Sequence, residues 1–303
     1  MSAVNNSTTM TESQEPRPRR NGMPPAVANT LKILGLLLVL TWCMFPFLWM
    51  LMTSLRSGSV ALTNPNIFVG PFSISNYEQV FDLGFQFALR NSLIVAGITT
   101  LICIPVAALA GYALARLPLK RKFLLLAVVL VATLFQPVAL VNPLYQVYLQ
   151  IDAWTGVSLL NSFAGMVLPY VALTLPLAIF ICTTFFSDIP KEIEEQAKVD
   201  GATPFQVFSK VVAPLAAPGV ATSAILTFVY ATNEFLLAFS FAPRDLNVQT
   251  VPVFIGTFDR VGYENPIGQV MAASVLVSIP LIAFALIMQR RIVAGLTAGA
   301  VKG

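Results

Sequence analysis

The chain has 303 residues, of which 56% are hydrophobic and 11% are charged, with a formal net charge of +4 at pH 7. An ordinary soluble domain has roughly a quarter charged residues, so this composition excludes a soluble globular fold and favours a membrane protein. The chain contains no histidine, the commonest metal ligand and general base, and no Gly-Lys dipeptide, without which a GxxxxGK[ST] phosphate loop is impossible. Catalysis and metal binding are therefore not expected, and the net charge is attributed to membrane topology rather than to nucleic-acid binding.

The N-terminal segment, residues 1–28, precedes any apolar run and is rich in Ser, Thr, Asn and Pro. This composition predicts a disordered tail. A cleaved signal peptide is not expected, because the first apolar run is too long and no small-residue cleavage site follows it. Residues 29–303 are predicted to form one membrane domain.

Six apolar runs are long enough to cross a hydrocarbon core about 30 Å thick, which takes about 20 helical residues. They predict an all-α membrane protein with six transmembrane helices, because a spanning helix satisfies its own backbone hydrogen bonds. The runs are Leu31–Thr53, Leu89–Leu114, Phe123–Val141, Ser162–Phe186, Val220–Phe241 and Val270–Met288. The end of the third run is ambiguous, because Gln136, Pro137 and Asn142 interrupt it.

The positions of Lys and Arg predict the orientation in the membrane. With the N-terminus inside, only four of the 18 basic residues fall on the outer side: Arg56, Arg90, Arg244 and Arg260. An excess of Lys and Arg in cytoplasmic loops is the rule for membrane proteins. Both termini are therefore predicted to be cytoplasmic, and so is the connection between the fourth and fifth runs.

One ionisable residue, Glu234, lies inside the fifth run, directly after Asn233. A carboxylate at membrane depth costs about 2.5–3.5 kcal/mol on insertion scales, so it is expected to face the bundle interior or water. One interpretation is a residue of a substrate pathway. The other is a structural polar clamp between helices, or a residue nearer the membrane interface.

The connection between the fourth and fifth runs, IPKEIEEQAKVDGATPFQVFSKVVAPLAAPG (Ile189–Gly219), begins with the most densely charged stretch of the chain. Its first half predicts a short helix that Asp188 caps, with Pro190 in the first turn. Glu194 and Lys198 have the spacing of an i,i+4 ion pair. Three residues at i, i+4 and i+8 predict a thin apolar stripe: Ile189, Ile193 and Ala197.

A second short helix is predicted after a bend. Gly201 can adopt the left-handed conformation that stops the first helix, and Thr203 and Pro204 are suited to the cap and first residue of the second. Pro214 and Pro218 are expected to end it. Three apolar residues are predicted to share one of its faces: Phe205, Phe208 and Val212.

The acid-rich polar face of the first predicted helix distinguishes two destinations. Helices that lie on a lipid surface favour Lys and Arg toward anionic headgroups, whereas this face is rich in Glu. A groove in a partner protein therefore fits this face better than the membrane surface does.

The run EQAKVDGATPFQVFSKVVAP, from Glu195 to Pro214, resembles the EAA loop of ABC-importer permeases, EAA-x3-G-x9-I-x-L-P. The Gly and Pro match in identity and spacing, while Gln196, Val211 and Ala213 depart from the pattern. The longer form IPKEIEEQAKVDGATPFQVF is similar to that of carbohydrate importers of the MalG-like, maltose/trehalose-type subfamily. So are PFLWMLMTSLR, SNYEQVF, RNSLIVA, AGYALARL, NEF and the C-terminal QRRIVAGLTAGAVKG. The resemblance runs from about residue 45 to residue 303.

The resemblance implies a type I importer permease fold in the inner (plasma) membrane. In that family two related permeases, usually a heterodimer, form the pathway, and an extracytoplasmic binding protein delivers the sugar. ATP and Mg are bound by a separate cytoplasmic ATPase dimer, so no cofactor is implied in this chain. The loop at residues 188–218 would dock on that ATPase. The positions that carry over as ATPase-coupling residues are Glu195, Ala197, Asp200, Gly201 and Pro214.

The resemblance also implies that later spans contact the sugar. The candidates are Tyr230, Asn233, Glu234 and Phe235, and lipid or core packing is the alternative for each aromatic. The implied substrate is a disaccharide such as trehalose or maltose, or a short oligosaccharide, although glycerol phosphate and amino-sugar importers have similar permeases. A secondary transporter would need coupling-ion sites and often internal repeats. The sequence has no visible repeat, and Glu234 is the only candidate ion-site residue.

Overall fold

The computed structural model describes residues 25–56, 71–242, 245–258 and 266–300. Within these ranges the regular elements are helices, and the β-structure is a single bridge between Arg56 and Phe72. The predicted all-α class is confirmed. The helices are α1 (Pro25–Ser54), α2 (Ser75–Asp82), α3 (Phe85–Arg116), α4 (Lys122–Ala132), α5 (Pro137–Thr155), α6 (Phe163–Ser187), α7 (Lys191–Val199), α8 (Pro204–Leu215), α9 (Ala217–Asn233), α10 (Leu236–Phe241), α11 (Val251–Ile255) and α12 (Ile267–Ala300).

The chain divides into two units, Met1–Leu48 and Trp49–Gly303. In the first unit, the apolar side chains of residues 31–48 of α1 are exposed, with Trp42 80% exposed. A helix that is apolar all round suits a lipid environment. Residues 1–24 of the predicted tail lie outside the described residues, and α1 begins within that tail, at Pro25.

In the second unit, α3, α6 and α9 pack against one another, and α12 packs against α9. The apolar side chains between them form three clusters along the helices. The cluster that bears on the candidate site, called the basal cluster here, lies at the C-terminal ends of α3 and α6. Its members include Ala107, Leu114, Cys182, Phe186, Val207, Val212 and Ala216.

Four predicted spans coincide with single long helices: α1, α3, α6 and α12. Ser162 caps α6, its side chain accepting a hydrogen bond from the backbone N–H of Gly165 at 3.1 Å. The third predicted span, whose end is ambiguous in the sequence, is bent at that point. Helix α4 ends at Ala132, α5 begins at Pro137, and the two are bent by 85°. Pro137 favours an extended conformation at the preceding Gln136, which has φ −79° and ψ 137°.

The predicted fifth span is also interrupted. Helix α9 ends at Asn233, Glu234 has extended angles of φ −68° and ψ 123°, and α10 then runs from Leu236 to Phe241. A second bend, of 74°, separates α8 from α9. By length and composition, the described residues contain four helices that could cross a membrane, or up to six if each bent pair is one span.

Candidate functional site

The first helix of the predicted coupling loop forms, but it begins later than the sequence suggests. Pro190 precedes α7 with φ −58° and ψ 136°, and Lys191 is the first helical residue. The predicted cap, Asp188, instead has αR angles and closes the last turn of α6, its N–H donating to the carbonyl of Thr184 at 3.2 Å. The cap prediction is wrong because α6 continues to Ser187, which makes Asp188 the C-cap of α6 rather than the N-cap of α7.

The inward face of α7 carries a carboxylate. Glu194 is 5% exposed, and its Oε1 forms an ion pair with Nε of Arg116 at the end of α3. The Tyr112 hydroxyl donates to Glu194 Oε2 at 3.2 Å. The predicted pair of Glu194 with Lys198 is therefore wrong: Lys198 is exposed, and the carboxylate turns toward the bundle. Ile193 shares this inward side and is half-buried, as the predicted stripe requires.

The outward face of α7 contains several of the coupling positions that the resemblance implies. Glu195 and Asp200 are exposed, and Val199 between them is 87% exposed. With Glu192 and Gln196 they line a shallow hollow of about 360 Å³. This face therefore presents carboxylates around an apolar side chain.

The end of α7 is closed by backbone hydrogen bonds around Gly201, which has φ +83°. The Gly201 N–H donates to the Lys198 carbonyl, and the Ala202 N–H donates to the Ala197 carbonyl, both at 3.0 Å. This paired arrangement around a left-handed glycine is the Schellman motif. The predicted left-handed stop at Gly201 is confirmed, and Ala197 packs half-buried against the basal cluster.

Helix α8 begins as predicted. Thr203 Oγ1 accepts from the Gln206 N–H at 3.4 Å, and Gln206 Oε1 accepts from the Thr203 N–H at 2.9 Å, which is a capping box. Pro204 is the first helical residue.

The rest of α8 differs from the prediction. The helix continues through Pro214 to Leu215. Within it, residues Val207–Val212 form a π-helical turn, in which hydrogen bonds join residues five apart instead of four. The predicted shared face is also wrong. Val212 is buried and Phe208 half-buried, but Phe205, which precedes the wide turn, is 72% exposed.

The candidate pathway residues lie around the break between α9 and α10. Glu234 is 9% exposed and accepts three hydrogen bonds. The Tyr170 hydroxyl donates to Oε2 at 2.7 Å, the Leu237 N–H to Oε1 at 3.0 Å and the Ala238 N–H to Oε2 at 3.1 Å. The carboxyl group thus joins α6 to the first turn of α10, where unpaired backbone N–H groups need an acceptor.

The other three candidates do not share one cavity with one another. Tyr230 is half-buried and lines a largely apolar cavity of about 540 Å³ between α4, α6 and α9. Asn233 is exposed and lines a different cavity of about 300 Å³, with Ser274 and Ser278 of α12 among its walls. Phe235 is 42% exposed and stacks on Phe239 at 5.4 Å.

Three side chains of these sites, Arg116, Tyr112 and Tyr170, were not singled out from the sequence. Arg116 and Tyr112 fall within AGYALARL, a segment that resembles its counterpart in the family, but no local pattern connects it to α7. Tyr170 lies in an apolar run with no polar neighbour to distinguish it. These three residues are identified only by their tertiary contacts with Glu194 and Glu234 in the structure.

The long apolar helices define a multi-pass helical membrane protein. Residues 88–297 match the family described as binding-protein-dependent transport system inner membrane component. The match covers most of the chain, so the protein belongs to this family, and the resemblance seen in the EAA loop is confirmed. It is an ABC importer permease of the cell membrane.

Three relatives align over nearly their whole length. The trehalose transport system permease protein SugB of Mycobacterium tuberculosis is 41% identical, over 88% of this chain and 95% of the relative. The trehalose/maltose transport system permease protein MalG of Thermococcus litoralis is 38% identical, over 90% and 96%. The sulfoquinovosyl glycerol transport system permease protein SmoH of Agrobacterium fabrum is 37% identical, over 90% and 94%.

Solved structures of ABC importers share the fold. A chain of a bacterial ABC transporter involved in the import of the acidic polysaccharide alginate superposes with a TM-score of 0.65 at 18% identity, covering 88% of this chain and 96% of that one. A chain of the MetNI methionine ABC transporter in an inward-facing conformation gives 0.52 at 18% identity, covering 72% and 97%. At these identities the likeness shows the fold alone.

Proposed function

We propose that this chain, with a second permease, forms the membrane pathway for a disaccharide such as trehalose or maltose, or for a short oligosaccharide. An extracytoplasmic binding protein delivers the sugar, and a separate ATPase that binds ATP and Mg drives its import. Support for a carbohydrate comes from the relatives at 37–41% identity, each of which transports a sugar or a sugar glycoside by its name.

The observation that carries the ATPase part of the proposal is the two-sided construction of α7. Its inner side is fastened to α3 through Glu194, and its outer side presents Glu195, Val199 and Asp200. An exposed apolar side chain ringed by carboxylates suits a protein partner better than an anionic lipid surface. The Schellman turn at Gly201 fixes where this surface ends.

The remaining coupling positions support the docked surface from beneath. Ala197 packs against the basal cluster, and the exposed Pro214 lies in the last turn of α8, next to the 74° bend into α9. Movement of the docked loop would therefore reach α9 through α8. In this proposal α7 and both termini are cytoplasmic, as the distribution of Lys and Arg predicts.

For the pathway, the geometry supports a division of roles. Tyr230, Asn233 and Phe235 are the side chains that offer accessible surface to a sugar. Glu234 has hydrogen bonds to both oxygens, so we assign it to holding the helix break that presents these neighbours. Asn233 Nδ2 donates to the Val229 carbonyl at 2.8 Å, which leaves its oxygen as an acceptor for a hydroxyl.

The test is ATP hydrolysis by the complex reconstituted with its partner permease, ATPase and binding protein. Trehalose, maltose, maltotriose, sulfoquinovosyl glycerol, glycerol phosphate and an amino sugar are compared, each at the concentration that saturates the binding protein. We expect stimulation by the disaccharides or maltotriose. Stimulation only by sulfoquinovosyl glycerol, glycerol phosphate or the amino sugar would replace the substrate. No stimulation by any solute, with no ATPase in the purified complex, would refute the importer function.

A further inference from the structure

Arg116 and Glu194 occupy the junction between the coupling loop and the membrane bundle. We infer that this ion pair makes α7 a rigid extension of α3, so that displacement of the docked loop moves α3 rather than only bending the loop. Both are positioning residues: neither faces the outer docking surface. The inference rests on the proposed function, since it concerns how the same loop transmits ATPase movement.

The first support is the completeness of the contact. The side chains of Arg116 and Glu194 are 9% and 7% exposed. Besides the ion pair, Arg116 Nη2 donates to the carbonyl of Ile189 at 2.7 Å, in the turn that leads into α7. One guanidinium therefore holds both the start of the loop and the middle of its helix.

The second support is the seat of the carboxylate. Tyr112, which donates to Glu194, lies one turn before Arg116 on α3 and packs between two aromatic rings. Its ring centroid is 5.7 Å from that of Phe186 on α6 and 5.0 Å from that of Phe208 on α8. The Arg116–Glu194 pair therefore lies where α3, α6 and α8 pack together. A displacement of α7 would then move these packed helices with it.

The third support is an energetic argument. A buried ion pair is a poor source of stability, because apolar residues of similar volume often stabilise a fold equally well. Such a pair does fix geometry, because removing either partner leaves a buried charge without its counter-charge. Because the Arg116–Glu194 pair lies beneath the candidate docking surface, we assign it to fixing α7 relative to α3 for coupling rather than to stabilising the fold.

The inference separates stability from coupling, and a double variant can measure the two apart. The variants Arg116→Gln and Glu194→Gln each leave one uncompensated charge, while the double variant leaves none. We expect both single variants to lower the melting temperature of the complex, and the double variant to recover most of that loss. We expect all three to copurify with the ATPase subunit, because the outer face of α7 is unchanged.

The decisive readout is the number of sugar molecules imported per ATP hydrolysed in liposomes. We expect this ratio to fall about fivefold or more in all three variants, the double included, as for loss of a typical coupling free energy. Lys120→Gln, exposed in the turn between α3 and α4 and outside α7, is the matched control and should keep the wild-type ratio. A double variant with the wild-type ratio would overturn the inference, because the pair would then be only structural.

A milder substitution, Tyr112→Phe, covers the case in which the charge variants do not assemble. If the charge variants fail to assemble, Tyr112→Phe, which removes a single hydroxyl, is measured in their place and should lower the ratio while the ATPase still copurifies. A wild-type ratio in Tyr112→Phe would then refute the inference. Failure of the proposed function is distinguishable, because the wild-type complex itself would show no sugar-stimulated ATP hydrolysis.

Discussion

Two buried glutamates, Glu194 and Glu234, sit at two interruptions of the helical bundle and are satisfied in different ways. Each accepts a hydrogen bond from a tyrosine, Tyr112 or Tyr170, on a long helix. The further partner of Glu194 is the side chain of Arg116, whereas Glu234 is held by two backbone N–H groups of α10. The Glu234 carboxyl group is thus part of the N-terminus of α10, whereas the Glu194 carboxylate connects two separate helices, α7 and α3.

This difference indicates which of the two regions, the α9–α10 break or the contact between α3 and α7, moves as a rigid body. Backbone amides at a helix N-terminus tie Glu234 to its own chain segment and stabilise the break locally. A guanidinium that reaches from α3 to α7 instead links elements 78 residues apart in sequence. We therefore assign Glu234 to the shape of the pathway and Glu194 to the transmission of movement.

The largest effect on stability is expected at Glu234. Glu234→Leu removes the acceptor of two backbone N–H groups and of the Tyr170 hydroxyl, and should lower the free energy of unfolding by about 3 kcal/mol or more. Tyr170→Phe is the matched control, since it removes one of the three hydrogen bonds and should cost about 1.5 kcal/mol. Unfolding of the purified chain in detergent measures both. Equal stability of Glu234→Leu and wild type would show that the break does not depend on this cap.

A smaller effect is expected where α3 and α6 approach beneath the loop carboxylate. A Cβ at Gly111 would lie 2.7 Å from Cys182 Cβ and 2.9 Å from the Thr183 backbone nitrogen, so Gly111→Ala should cost about 1–3 kcal/mol by overpacking. Gly97→Ala on the same helix meets nothing within 4 Å. It should stabilise the chain by about 0.5–1 kcal/mol through helix propensity. Detergent unfolding of the pair is the measurement, and a loss of equal size in both would contradict the close approach.

The smallest effect on stability, but the clearest on partner binding, is expected at the bend. Gly201→Val places a β-branched residue at φ +83° and should cost about 1–2 kcal/mol. Gly156→Val, at φ +70° after α5, imposes the same strain away from the loop. We expect both to lose similar stability, measured by detergent unfolding, but only Gly201→Val to lose copurification with the ATPase. Equal ATPase recovery in both variants would remove Gly201 from the coupling role.

The contrast between the two glutamates also separates what the sequence predicts from what it does not. Gly201, Thr203 and Pro204 were predicted correctly because helix stop and start signals act over a few residues. The partners of both carboxyl groups were missed, because Tyr170 lies 64 residues from Glu234 and Arg116 lies 78 residues from Glu194. An i,i+4 rule finds only the local alternative, Lys198.

The break in the fifth span was missed, and the break in the third was indicated only as an ambiguous end near Pro137, for a related reason. Apolar composition predicts that a segment enters the membrane, but it contains no information about the direction of the backbone. Pro137 and Glu234 each mark a break, yet a proline is tolerated in a continuous membrane helix, as Pro105 is in α3. Only the packing of neighbouring helices determines whether the chain bends or continues.

The central claim is that the outer face of α7 contacts the ATPase subunit. The most direct measurement places a photo-crosslinking label at Val199→Cys in the full complex, with Cys43, Cys103 and Cys182 replaced by serine. Trp154→Cys, 83% exposed at the end of α5, is the control position. We predict an adduct with the ATPase subunit from position 199, whose yield changes with bound nucleotide, and none from position 154. No ATPase adduct from position 199 in an intact complex would contradict the account.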